Sequence, residues 1–149
     1  MVSRYQFTGL ISTVLISSVL CLSLAVAQST TLKDDITSLL NVHFLTLQQE
    51  DLAAHLMTLH PDSPFYEQLK QQIPPIFQRY DLIYRVDAFN LIGSDRDFAY
   101  ARISQTTNKR SGPAFADNQL DQLWVFKRYQ GDWRVWTSQM LSVTYVDAD

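Results

Sequence analysis

The sequence predicts an α+β protein in which N-terminal helices lie across one face of a curved antiparallel sheet. Apolar residues recur at helical spacing in the first half of the chain, and from Leu82 onward they recur with a period of two. Residues 120–146 hold all three tryptophans and contain a turn signal, Gly131-Asp132, which indicates a long hairpin. Because the helices come first and the strands follow, we expect the two kinds of element to form separate layers.

The first 27 residues have the pattern of an export signal. Arg4 provides the positive start, residues 10–24 form an apolar run, and the small-x-small sequence that ends at Ala27 is a cleavage site. We therefore expect cleavage after Ala27 and an exported mature protein, periplasmic or secreted. The apolar run is shorter than the roughly 20 residues of a spanning helix, although an uncleaved anchor stays open as the alternative. Leu20, which is not a small residue, precedes Cys21 and argues against a lipoprotein.

The balance of charge argues against nucleic acid as a partner. The whole chain has a net charge of -3, and removal of residues 1–27 takes away Arg4 and no acidic residue, which leaves about -4. Nucleic-acid binding depends on neutralising phosphates with Lys and Arg. The single cysteine, Cys21, leaves with the signal, so thiolate catalysis, disulfides and Cys-ligated zinc are not expected in the mature protein.

Three helices are predicted before the strands begin. The first covers residues 32–47, the second is a short helix over residues 52–59, and the third covers residues 64–79. The third helix contains Pro74-Pro75, and we expect it to kink or restart there because proline removes a hydrogen bond and clashes with the preceding turn.

Four strands are predicted after the helices. Two of them, residues 82–92 and 98–107, are joined by the turn-rich residues 93–97, and a polar loop over residues 108–118 leads to the hairpin. A hairpin loop of two or four residues fixes which side chains share a face. One face then carries Trp124, Phe126, Arg128, Trp133, Val135, Thr137 and Gln139, and the other carries Leu123, Val125, Tyr129, Trp136, Ser138 and Met140.

Both faces of the predicted hairpin are substantially apolar. An antiparallel sheet with one solvated face alternates more cleanly between apolar and polar residues. We therefore expect the helices to cover one face and a second copy of the chain to cover the other, as a homodimer. The alternative is that tryptophans near the turn simply cap the sheet.

This order of elements, together with two short segments, resembles the nuclear transport factor 2-like superfamily and its SnoaL-like and ketosteroid-isomerase-like small domains. The sequence Leu-Trp-Val-Phe-Lys-Arg at 123–128, followed by Gly-Asp-Trp-Arg-Val at 131–135, resembles the closing hairpin of that family. Glu50-Asp51-Leu52 resembles its short acidic break between the first two helices. The resemblance implies one cone-shaped domain over residues 28–149, with a pocket between helices and sheet. Because this scaffold hosts isomerases, cyclases, dehydratases, carriers and assembly modules, the resemblance does not identify a reaction.

The catalytic pattern of the ketosteroid isomerases does not carry over to this chain. Those enzymes use a tyrosine from the first helix, an aspartate base after the second helix and a protonated aspartate from a strand. Here the first helix offers His43 and Phe44 but no tyrosine, and the loop after the second helix offers His60 and Asp62. The strand aspartate has no clear match.

Three residues are candidates for acid-base catalysis. His43 lies on or beside the apolar stripe of the first helix and could act as a general base, the alternative being a hydrogen-bonded core histidine. Asp87, within an apolar strand, could be an acid with a raised pKa, and Asp121 at the start of the third strand is similar. For these aspartates the alternative is pairing with Arg85, Arg102 or solvent.

Aromatic walls with a few polar tips suit a pocket for a flat or apolar small molecule. The predicted pocket residues are His43, Phe44, Tyr66, Tyr80, Tyr84, Trp124, Phe126, Thr137 and Gln139. His55 and His60 are five residues apart and lack a third ligand, so we expect no metal site and no cofactor.

The expected function is binding of a small apolar or amphipathic molecule, or service as a dimeric interaction module. A cofactor-free acid-base enzyme of isomerase, cyclase or dehydratase type, using His43 or a buried aspartate, is the alternative. A deep cavity faced by a buried His or Asp would favour the enzyme, and a filled or shallow cone would favour the module.

Overall fold

The computed structural model describes residues 17–146, with side chains described from Thr31 onward. Three helices precede four strands, which confirms the predicted α+β fold. The chain divides into two compact units after Asp34, and the unit that begins at Asp35 contains α2, α3 and all four strands. The elements are α1 (Ser17–Gln48), α2 (Leu52–Thr58), α3 (Tyr66–Arg79), β1 (Asp81–Ser94), β2 (Phe98–Ser111), β3 (Asn118–Tyr129) and β4 (Asp132–Tyr145).

The first helix begins earlier than the sequence predicts. α1 starts at Ser17 and is already helical over residues 28–31, before the predicted start at residue 32. Residues 1–16 of the predicted export signal lie outside the described residues, and cleavage after Ala27 stays a prediction. Within the described part of the chain, no helix is long and apolar enough to cross a membrane.

The acidic break between the first two helices contains one residue that ends α1, Glu50, and one that caps the start of α2, Asp51. Glu50 adopts a left-handed backbone with φ 57°, which ends α1. The side chain of Asp51 then accepts a hydrogen bond of 2.9 Å from the backbone N–H of Ala54, which satisfies one of the free donors at the start of α2. Two short-range interactions therefore direct the chain from α1 into α2.

The predicted restart of the third helix at its prolines is wrong, because α3 runs from Tyr66 to Arg79 without interruption. Pro74 and Pro75 cannot donate to the carbonyls of Lys70 and Gln71. Both of those residues are exposed, so water can bind the freed carbonyls. Burial of Ile73 in the core holds the helix in place across the prolines.

The four strands form one antiparallel sheet in the order β1-β2-β3-β4. The face that contacts the helices, here called the helix-facing face, carries the core, since Trp124 on this face packs against the rings of His43 and Phe44. The opposite face is called the outer face. The buried apolar residues of the helix-facing face in β2 and β3 are Ala99, Ala101, Ile103, Trp124 and Phe126, and those of α1 are Ile36, Leu40 and Phe44.

The hairpin of β3 and β4 closes with the two-residue turn Gln130-Gly131. Both residues have positive φ, 53° and 94°, as in the type I′ turns that match strand twist. Near this turn the predicted register is confirmed, because Phe126 pairs with Val135.

Beyond Val135 the predicted register is wrong. A bulge inserts Trp136, so that Val125 pairs with Thr137 and Trp124 pairs with Ser138. A bulge places two residues of one strand opposite one residue of its partner, and the residues that follow therefore face the other side of the sheet. Simple alternation along the sequence contains no sign of this shift.

Candidate binding cavity

A cavity of about 320 Å³ lies between the helices and the helix-facing face of the sheet. All three helices contribute to its wall, as do all four strands. The described residues that line the cavity are aromatic, aliphatic or uncharged polar residues, and they include no Asp, Glu, Lys or Arg. The site is therefore a largely apolar pocket in which the few polar atoms carry no permanent charge.

Five of the predicted pocket residues line this cavity, namely His43, Phe44, Tyr84, Trp124 and Thr137. The two aromatic residues Phe44 and Trp124 pack against each other with ring centroids 5.7 Å apart. Tyr84 of β1 lies 6.3 Å from Phe44 between ring centroids, so the aromatic wall continues from α1 onto the sheet.

The other four predicted pocket residues lie elsewhere. Phe126 is completely buried and fills the core beside Trp124, where it leaves no surface for a ligand. Tyr80 follows the end of α3 and packs on the ring of Phe115 instead. Tyr66 begins α3 and is half-buried outside the cavity wall. Gln139 is exposed, because the bulge at Trp136 turns it to the outer face.

Hydrogen bonds around His43 determine which of its ring nitrogens carries the proton. The hydroxyl of Thr58 donates to the carbonyl of His55 at 2.7 Å, so this oxygen can only accept from His43 Nδ1, which is also 2.7 Å away. His43 is therefore assigned the tautomer with a proton on Nδ1. Its Nε2 is left as a hydrogen-bond acceptor, and no described residue bonds to it.

A second histidine, His55, lies directly behind His43. Their ring centroids are 4.3 Å apart, and His55 Nδ1 donates to the backbone carbonyl of His43 at 3.3 Å. Burial lowers the pKa of His43 well below its ordinary value of 6.5, and the nearby His55 lowers that pKa further. Burial also lowers the pKa of His55, partly offset by its hydrogen bond to His43. Both imidazoles are consequently neutral near pH 7.

Two glutamines add polar atoms to the cavity wall. The indole N–H of Trp124 can only donate, so Gln122 presents its amide oxygen to it at 2.7 Å, and no described residue accepts from its NH₂ group. Gln105 is buried and donates to the hydroxyl of Thr107 at 3.1 Å, which leaves its amide oxygen as an acceptor. Together with His43 Nε2, the cavity offers both donors and acceptors to a bound molecule.

The two candidate aspartates lie on the outer face, away from the cavity. Asp87 accepts hydrogen bonds from Arg85 at 2.6 Å and from Thr106 at 2.5 Å, and Asp121 pairs with both nitrogens of the Arg102 fork. Hydrogen bonds from Thr106 and Arg85 hold the pKa of Asp87 below its ordinary value although partial desolvation opposes them. Their proposed role as acids with a raised pKa is wrong, and pairing with arginine is confirmed.

His60 has a structural position at the edge of β4. Its backbone N–H donates to the carbonyl of Val135 at 2.8 Å, and its Nδ1 accepts from the backbone of Asp62 at 3.1 Å. Its ring packs edge-on against Trp136 at 5.0 Å between centroids. Among the described residues no group of three His, Cys, Asp or Glu side chains could hold a metal ion.

Six polar residues of the cavity wall were not predicted from the sequence, and for three of them, Gln105, Gln122 and His55, a signal existed. In an alternating strand, Gln105 points to the same face of the sheet as Ala101 and Ile103, and Gln122 points to the same face as Trp124. His55 lies one helical turn before Leu59 on the apolar side of α2. Polar residues at apolar positions of an alternating pattern are the expected sign of a buried polar contact.

Comparison with known proteins places this chain in a family. Residues 38–146 match the family described as the C-terminal domain of anti-sigma-I factor RsgI9. The anti-sigma-I factor RsgI9 of Acetivibrio thermocellus is 23% identical over 89 residues. That match covers 60% of this chain and 12% of the relative, so most of the relative has no counterpart here.

Solved structures show the same fold at low sequence identity. A protein of unknown function with a cystatin-like fold from Nostoc punctiforme has a TM-score of 0.60 and 16% identity, and the similarity covers 72% of this chain and 88% of that one. A hexachlorocyclohexane dehydrochlorinase has a TM-score of 0.54 and 11% identity, with coverage of 81% and 93%. The chain thus shares the cystatin-like fold of the Nostoc punctiforme protein, and by its matched sequence it belongs to the family of the C-terminal domain of anti-sigma-I factor RsgI9.

Proposed function

We propose that this domain binds a small uncharged molecule, with one or two rings and hydroxyl or carbonyl groups, in the cavity under its helices. The observation that carries the proposal is the absence of charged side chains among the described residues of the lining. A charged ligand would lose its hydration there without gaining a counter-ion, which is costly in an apolar site. An uncharged ligand has no such penalty.

The polar atoms of the wall support a ligand with both donors and acceptors. Hydroxyl groups of a ligand can donate to His43 Nε2 or accept from the NH₂ of Gln122, while the rings of Phe44 and Trp124 provide an apolar wall. The volume of about 320 Å³ lies near the lower end of the roughly 300–1,000 Å³ typical of ligand pockets. A compact ligand therefore fits better than an extended chain.

The setting of the ligand-binding domain is also part of the proposal. We propose that the domain acts outside the cytoplasm after cleavage at Ala27, which rests on the signal-like pattern of residues 1–27. The family is named after a domain of an anti-sigma-I factor. In an anti-sigma-I factor, a C-terminal domain that binds a small molecule would signal the presence of that molecule to the other domains of the factor.

A cofactor-free acid-base enzyme is the second candidate, favoured by the buried His43 whose Nε2 is free to take a proton. A similar fold occurs in a dehydrochlorinase, and elimination chemistry requires such a base. The surroundings of His43 favour binding instead. A catalytic imidazole that gains a proton needs a partner for its charge, and here Nδ1 faces the neutral hydroxyl of Thr58 while burial disfavours the imidazolium.

The test compares matched pairs of neutral and anionic ring compounds, such as benzyl alcohol and benzoate, by thermal shift and by protein NMR. Neutral members should bind, and saturation at 100 times the dissociation constant should add about 2.7 kcal/mol of stability. Gln122→Leu should weaken binding. Gln139→Leu is the matched control, since it makes the same change at an exposed position of the next strand. Preferential binding of the anionic members would refute the proposal.

Turnover separates the two candidate functions. Each bound compound is incubated with the protein and analysed by mass spectrometry and NMR. If wild type consumes a compound and His43→Gln does not, the enzyme is favoured; if the compounds stay unchanged, binding is favoured.

A further inference from the structure

The strand β4 forms one edge of the sheet, and only its first part is covered. Leu59 forms a bridge with Val135, and the hydroxyl of Ser63 donates to the carbonyl of Trp136 at 2.6 Å. From residue 137 to residue 145, the backbone of β4 bonds to β3 on one side, and no described residue pairs with its other side. These backbone groups form a free template for another strand.

The uncovered part of β4 is apolar and exposed. Met140, Leu141, Val143 and Tyr145 expose between 38% and 63% of their surface, and Val146 beyond the strand exposes 50%. Residues 135–146 contain no charged residue, no proline and no glycine. Natural edge strands are usually protected by Lys, Pro or inward-pointing charges against unwanted pairing. Between residues 135 and 146 this edge has no such residue, and beyond the bulge at Leu141 its backbone is open to pairing with another strand.

The pairing within the hairpin assigns faces to these side chains. Met140 pairs with Gln122, and Val143 pairs with Leu120, so both lie on the helix-facing face. Leu141 is a bulge residue with no partner in β3. Ser142 pairs with Asp121 and lies on the outer face. The apolar side chains therefore gather on one face, at an end of the sheet that the helices leave exposed.

The sequence of this edge is complementary to itself in the antiparallel direction. With a two-fold axis at Val143, that residue meets its own copy and Leu141 meets Tyr145, and the bulge at Leu141 ends the regular pairing before Met140. On the other face Ser142 meets Thr144. Every pair joins apolar with apolar or polar with polar, and the absence of charge means that two copies of an acidic chain meet without repulsion.

We propose that the partner of this edge is a second copy of the chain, joined by antiparallel pairing of β4 with β4 around Val143 into one continuous eight-stranded sheet. This surface differs from the outer face, where we first expected the dimer contact. The outer face carries the ion pairs Arg85–Asp87 and Arg102–Asp121 near its centre. Their charges are already paired within one chain, so they need no partner from a second copy.

The test is a charge swap at Val143, measured by light scattering and analytical ultracentrifugation on the full chain. Wild type should form a dimer. Val143→Lys and Val143→Glu should each raise the dimer dissociation constant at least about tenfold, or about 1.4 kcal/mol, because like charges then face each other across the axis. A mixture of the two variants should restore a heterodimer. Ile92→Lys is the control, since it adds the same charge at an exposed apolar residue of the opposite edge.

Hydrogen exchange on wild type gives a test that needs no variant. Amides in residues 140–146 should become more protected as protein concentration rises, and those of β1 should not. The proposal is overturned if wild type stays monomeric at high micromolar concentration, if Val143→Lys leaves the dimer intact, or if the mixed variants stay apart. A dimer lost through Leu123→Lys alone would place the contact on the outer face instead.

Discussion

Thr58→Val tests the hydrogen-bond arrangement that leaves His43 Nε2 free in the cavity. The change keeps the shape of the side chain and removes only its hydroxyl. Thr58 is 3% exposed and His43 is 6% exposed, so water cannot easily replace the missing oxygen. The Nδ1–H of His43 would lose its acceptor, and the carbonyl of His55 would lose a donor.

Stranding one buried donor costs about 1–3 kcal/mol, so we expect the free energy of unfolding in urea to fall by about 2 kcal/mol. Thr46→Val is the matched control, because Thr46 is also buried and its hydroxyl donates to the carbonyl of His43 at 2.9 Å, with only a longer contact of 3.5 Å to His55 Nδ1. The carbonyl of His43 also accepts from His55 Nδ1, so removal of the Thr46 hydroxyl leaves no buried donor without an acceptor. The control should lose under about 1 kcal/mol.

Nitrogen-15 NMR of the histidine rings provides a second measurement. In wild type His43 should show a protonated Nδ1 and a bare Nε2, and Thr58→Val should disturb that signature. If Thr58→Val costs no more than Thr46→Val and the ring signals stay unchanged, then Thr58 does not hold His43, and the assigned orientation of Nε2 toward the cavity fails.

Burial lowers the folded-state pKa of His43 and His55 below 6.5. As the pH falls through that value, the unfolded chain therefore binds protons that the folded protein does not. Urea titrations should show the free energy of unfolding falling by up to about 1.4 kcal/mol per pH unit for each histidine. Stability that is flat below pH 6.5 would contradict this. Gly112→Ala should cost about 1–3 kcal/mol in thermal unfolding, because φ is 117° and the new Cβ would clash with the carbonyl oxygen of Arg79. An unchanged melting temperature would argue against that close approach. Mass spectrometry of exported protein should find a chain that begins after Ala27, whereas a product that retains Met1 would refute cleavage.

The sequence by itself determined the fold class and the order of elements. The change of period near residue 82 separates helices from strands, and Gly131 marks the hairpin turn within one residue of its actual place. These features depend on local patterns, because side-chain spacing and turn residues act within a few positions of each other. Four residues of the cavity wall, His43, Phe44, Tyr84 and Trp124, were also predictable, since they are aromatic or histidine residues at apolar-patterned positions, whereas Thr137 lines the wall although the register that predicted it is shifted by the bulge.

Only the tertiary structure decided which polar side chains meet. The bulge at Trp136 turns Gln139 outward and brings Ser138 opposite Trp124, and a one-residue insertion of this kind leaves no mark in an alternating pattern. Asp87 and Asp121 were candidate acids because their strands are apolar, yet on the outer face Asp87 pairs with Arg85 of its own strand, and register places Asp121 beside Arg102. The contact of His43 with Thr58 joins residues 15 positions apart on two helices. Such contacts depend on how the layers pack, which local spacing does not determine.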